Sequence, residues 1–168
     1  TMVMPTEDRY SQTRNQLLDE LVYSMGGRVV EEIVFKDPST GAASDIEKAT
    51  QTAKKMVMRW GLSSNVGTVR LGSTQAEPFV GMDYGKGPAY SDATAALIDT
   101  EVSKLLEEAN REAWWIIENN RDILDVLARR LLEEETLDEA ALAQIFTGVR
   151  KVEPRGAWNA SEGLVSQD

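Results

Sequence analysis

The chain has 168 residues, a formal net charge of −10, and neither cysteine nor histidine. That length fits one domain burying roughly two-thirds of its unfolded surface. The acidic balance argues against nucleic acid or an anionic membrane surface as a partner, because both require a face rich in Lys and Arg. The missing cysteines exclude disulfides and thiolate metal sites and fit a reducing compartment, while the missing histidines remove the commonest zinc donors. No stretch approaches the roughly 18 apolar residues of a membrane span, so this segment is expected to be soluble and without direct membrane contact.

Thr1 to Pro5, apolar at Met2, Val3 and Met4 and halted by Pro5, reads as a short N-terminal strand whose pairing partners are not in this chain. From Ser11 to Phe35, Leu17, Leu18, Leu21, Val22, Met25, Val29, Val30, Ile33 and Val34 recur at helical spacing and predict one long amphipathic helix. Gly26 and Gly27 interrupt it, each costing about 1 kcal/mol relative to alanine, which points to close approach of another helix or to a kink. After a loop with Pro38 and Gly41, Ser44-x-x-Glu47 has the form of a capping box opening a second helix that ends at Gly61. Ile46, Ala49, Ala53, Met56, Val57 and Trp60 share its apolar face. Asp45 falls in the first turn, where a carboxylate suits a metal ligand and equally suits simple compensation of the helix dipole. The pattern alone does not choose between them.

Residues 62–89 are rich in glycine and carry Pro78 and Pro88, the composition of a functional loop or a flexible connector, with room for a hairpin through Thr68–Leu71 and Phe79–Met82. Ser91 or Asp92 caps a third helix with Leu97, Ile98, Val102, Leu105, Leu106, Ala109 and Ala113 inward. Asn119 or Asn120 breaks it. A fourth helix follows from Arg121 to Glu134, with Ile123, Leu124, Val126, Leu127 and Leu131 apolar, and Thr136-x-x-Glu139 opens a fifth, reaching Phe146. Trp114 and Trp115 are neighbours on a helix, so one indole must point away from the face the other occupies, which reads as core plus interface rather than a ligand cage. The fold class is therefore mainly α, a packed bundle of about five helices with the short strand and the glycine-rich loop. Residues 149–168 are polar and without period, and are expected to form a disordered tail.

Gly26-Gly27-Arg28-x-x-Glu31-Glu32-Ile33-x-Phe35, then Ser39-Thr40-Gly41-Ala42-x-Ser44-Asp45-Ile46-x-x-Ala49-Thr50, resembles the peptidase domain of FtsH-type ATP-dependent zinc metalloproteases. The resemblance continues through Met56 to Ser63, Tyr90 to Val102 and Leu132 to Leu137 in the same order, and covers residues 1–147. One departure is Ser44, where the family motif often has Asn.

The resemblance implies that Asp45 is the third zinc ligand and that Glu31 supports a zinc-binding imidazole. A solvated helix-end carboxylate is the plain alternative for Glu31. It implies that two histidines and the catalytic glutamate come from an H-E-x-x-H helix preceding Thr1. Zinc is then the parent's cofactor, and ATP and magnesium belong to an ATPase domain outside this chain. Further implications are unfolded membrane and cytoplasmic proteins as substrates, a hexameric ring, and attachment at the cytoplasmic face of the inner membrane. On this reading residues 1–148 are the C-terminal part of the protease domain, and by themselves they are inactive and hold no stoichiometric zinc. A reading from another class is a non-catalytic helical binding or assembly module of the same ancestry. An upstream nucleotide loop and H-E-x-x-H in the natural product would separate the two.

Overall fold

The computed structural model describes residues 11–72 and 90–159. The predicted strand at Thr1–Pro5 and the second half of the predicted hairpin lie outside these residues. Among the described residues there are helices and irregular segments, and Thr68–Leu71 is irregular rather than strand.

Helix α1 runs from Arg14 to Val34. It starts three residues later than the periodicity predicts because Thr13 and Gln16 form a reciprocal capping box, Gln16 N donating to Thr13 Oγ1 at 3.3 Å and Thr13 N to Gln16 Oε1 at 2.9 Å. The glycine pair does not mark a close approach. A Cβ at Gly26 or Gly27 would meet nothing within 4 Å, and the helix continues through both.

Helix α2, Ala43–Met58, is preceded by a single 3-10 turn, Thr40–Ala42. The predicted Ser44 cap is not used. Ser39 caps instead, its Oγ accepting from Gly41 N at 3.1 Å, and Ala42 at the boundary provides no side-chain cap. Gly61 ends this region with φ of 62°, and a Cβ there would stand 3.0 Å from Thr68 Cα, so both backbone conformation and space call for glycine.

Helix α3, Asp92–Asn119, is capped by Ser91, whose Oγ accepts from Thr94 N at 3.3 Å. Helix α4, Arg121–Glu134, follows directly, and α5, Glu139–Ile145, is capped by Asp138 rather than by Thr136, Asp138 Oδ1 accepting from Ala141 N at 2.8 Å.

The core lies between α1, α2 and α3, with α1 packed most extensively on α3. Leu17, Leu18, Leu21, Met25 and Val29 meet Ala49, Ala53, Met56 and Val57 on one side and Ile98, Val102, Leu105, Ala109 and Ala113 on the other. Alanine at four of these positions lets the helix backbones come close while Leu21, Met56, Val29 and Val57 fill the centre. Each of those four side chains gains about 1.5–3 kcal/mol from burial.

The five predicted helices are all present, and the buried core is confined to three of them. No residue of α4 or α5 is buried, so these two helices form an arm on a three-helix core. Trp114 and Trp115 are both substantially exposed, as are Ile46 and Trp60 at the ends of the α2 stripe. Among the described residues no helix is long and apolar enough to cross a membrane. Residues 149–159 of the C-terminal segment are irregular and bonded to α1, α3 and α4, while residues 160–168 lie outside the described part.

Candidate functional site

Two adjacent acids near the end of α1 have separate partners. Glu32 pairs with Arg28 one turn back, Nε to Oε1 at 2.8 Å. Glu31 turns toward the loop that follows, where its Oε2 accepts from Ser39 N at 2.6 Å and its Oε1 from Ser39 Oγ at 2.9 Å. The loop reaches back because α1 ends with both Phe35 N and Lys36 N donating to the Glu31 carbonyl, and Lys36 adopts φ of 55°. That left-handed residue reverses the chain, as glycine more often does.

The Glu31 carboxylate thus holds the entry to α2. Ser39 is its partner, Ser39 caps the 3-10 turn, and that turn runs straight into the helix carrying Asp45 in its first turn. Sequence reading singled out Glu31 and Asp45 but gave no role to Ser39. The signal was present in that serine follows Pro38 and precedes Thr40-Gly41, a start signal as good as Ser44.

Asp45 is exposed, with its Oδ1 4.0 Å from Lys48 Nζ. Among the described residues it has no hydrogen bond that would commit it to a structural role, and it can offer one oxygen donor to a metal. Among the described residues no three His, Cys, Asp or Glu side chains gather closely enough to hold a metal ion, and the sequence has no imidazole or thiolate at all. Zinc prefers nitrogen and sulfur donors, whereas all-oxygen sets suit harder cations.

A further acid, Glu101, was not anticipated. It is buried, accepting from Ser63 Oγ at 2.5 Å and from Asn65 Nδ2 at 2.7 Å, and so ties the segment after α2 to α3. Its position between Ile98, Val102 and Leu105 in the α3 stripe could have revealed it, because a charged residue in a buried helical face needs fixed polar partners.

The backbone and hydroxyl bonds from Ser39 hold the Glu31 carboxyl below the ordinary glutamate range. A depressed folded-state pKa means the bond contributes above the unfolded value and is lost as pH falls through the folded one. Acid titration followed by the Ser39 amide proton resonance is expected to show a midpoint below that of an unperturbed glutamate, moving upward in Ser39→Ala. A midpoint at or above the unperturbed value would contradict the geometry.

Peptidase family M41 matches residues 1–145, a span that includes Glu31, Ser39 and Asp45. The chain is 52% identical over 165 residues to the ATP-dependent zinc metalloprotease FtsH of Cutibacterium acnes, covering 98% of this chain and 23% of that protein. It is 48% identical over 150 residues to the protein of the same name from Mycobacterium tuberculosis, with 89% and 20% covered, and 40% identical over 148 residues to FtsH 1 of a Thermoanaerobacter, with 88% and 24% covered. The chain therefore spans about a fifth to a quarter of the length of these curated relatives. With residues 1–145 matched and both acids of the α1–α2 junction inside the match, the chain belongs to peptidase family M41.

Proposed function

We propose that this chain is the C-terminal part of the peptidase unit of an ATP-dependent zinc metalloprotease, and that Asp45 supplies one carboxylate ligand to the zinc. The observation that carries this reading is the family match across the α1–α2 junction, together with an exposed Asp45 at the start of a helix whose entry is fixed by Glu31 and Ser39. The remaining donors, two imidazoles, come from an H-E-x-x-H helix outside this chain, whose glutamate is the catalytic base and not a ligand. Glu31 serves that centre by supporting one of those imidazoles with the lone pairs that Ser39 does not use. An ATPase domain binding ATP and magnesium, assembly as a hexameric ring, and attachment at the cytoplasmic face of the inner membrane belong to the same reading, as do unfolded membrane and cytoplasmic proteins as substrates.

The 168-residue chain alone is, on this account, inactive. Metal analysis by mass spectrometry should find about one zinc per chain in the full-length protein and none held stoichiometrically by this chain, because a catalytic zinc takes about three protein ligands plus water. One tightly held zinc in this chain, or none in the full-length protein, would overturn the assignment. The second outcome would favour the non-catalytic helical module.

A further inference from the structure

The segment after α5 lies beyond the family match, which ends at residue 145. From Val149 it turns back along α3. Arg150 N donates to Asn120 Oδ1 at 2.7 Å, and Asn120 Nδ2 donates to the Arg150 carbonyl at 3.0 Å and to the Ile116 carbonyl at 2.8 Å. Asn120, the buried residue joining α3 to α4, thus uses its amide like a short piece of strand edge. The Arg150 guanidinium reaches the Asn119 carbonyl at 2.6 Å and both Asp122 oxygens at 2.8 and 3.1 Å.

Further along, Arg155 bridges two core helices, meeting Asp19 of α1 at 2.5 Å and Glu112 of α3 at 2.6 Å. Arg14 stacks 4.9 Å from the centre of the Trp158 ring. The bonds from Arg150 and Arg155 span 30 and 136 positions of sequence. By contrast, the arm they enclose has no buried residue and exposes Val126, Leu131, Leu132 and Phe146. The apolar residues it does shelter, Ile123, Leu124, Leu127, Leu142 and Ile145, are only half-buried.

We propose that residues 149–159 are a latch that fixes the α4–α5 arm on the α1–α3 core, with Asn120 receiving the segment and Arg155 anchoring it. The arm is then a loop with both ends fastened at Asn120, and the latch sets the direction in which its apolar face is presented. Because the anchoring pairs are ionic and partly exposed, salt should loosen the latch, the screening length falling to about 3 Å at 1 M.

Hydrogen exchange on the whole chain tests this. In Arg150→Ala/Arg155→Ala, amides of residues 121–145 are expected to exchange faster by about tenfold or more, while the core amides around Leu21, Val29, Ala53 and Val57 stay within about twofold of the parent. Raising salt should move the parent toward the variant in the arm alone. A chain ending at Gly148 should behave as the double variant does. Unchanged exchange in the arm would overturn the proposal, and so would equal acceleration in every helix, which would make the segment a general contributor to stability rather than a latch.

Discussion

Asp45→Asn in the full-length protein is expected to lower proteolysis by more than about 100-fold while leaving ATP hydrolysis within about twofold. Loss of a partner one layer removed from a metal typically costs 10–100-fold, and loss of the ligand charge proposed for Asp45 should exceed that. The substitution should leave the fold intact. Asp45 is exposed and its one ion pair, to Lys48 at 4.0 Å, is of a kind worth about 0–1 kcal/mol. Its remaining contribution is to the α2 dipole, about 0.3–1 kcal/mol for a first-turn acid. Zinc content, peptide hydrolysis and ATP turnover measured on the same preparation separate the outcomes. Near-normal proteolysis with zinc retained would show that Asp45 serves the helix alone.

The largest stability effect is expected at the centre of the three-helix core. Leu21 is fully buried, and Leu21→Ala should cost about 3–5 kcal/mol, because the cavity lies where α1, α2 and α3 converge and the surrounding alanines leave little side chain to move into it. Against a typical domain stability of about 5–15 kcal/mol that is a large fraction. Leu132→Ala, at a leucine that is 86% exposed, should change stability by no more than about 0.5 kcal/mol. Urea unfolding of both variants gives the comparison, with similar slopes expected if the unfolded state is unaffected. Equal effects at the two sites would mean that α4 is packed and the core lies elsewhere.

Helix extents and core faces were legible in the sequence because they depend on local periodicity. The stripes through Leu21 and Val29, Ala53 and Met56, and Val102 and Ala109 are the ones buried, and Asp45 lies in the first turn of α2 as its neighbours imply. The family was legible too, since the motifs from Gly26 to Thr50 are contiguous and need no folding to be read. Capping was less legible. The Ser44-x-x-Glu47 and Thr136-x-x-Glu139 patterns match the chemistry of a cap, but where the chain leaves the helix is decided by longer-range bonds, and Glu31 selects Ser39 from eight residues away.

Tertiary structure alone decided how far the buried core extends and where residues 149–159 lie. An apolar stripe on α4 says that a face would gain from burial, not that this chain supplies a surface to cover it, and here Val126 and Leu131 stay exposed. The glycine pair in α1 gave the reverse error, since nothing approaches the space a side chain would need. Residues 149–159 have the composition of a disordered tail, yet Arg150 and Arg155 meet carboxylates on α4, α3 and α1. Composition measures how much apolar surface a segment can bury, whereas these bonds depend on acids brought together from distant positions by the packing of other helices, and that complementarity exists only once the core has formed.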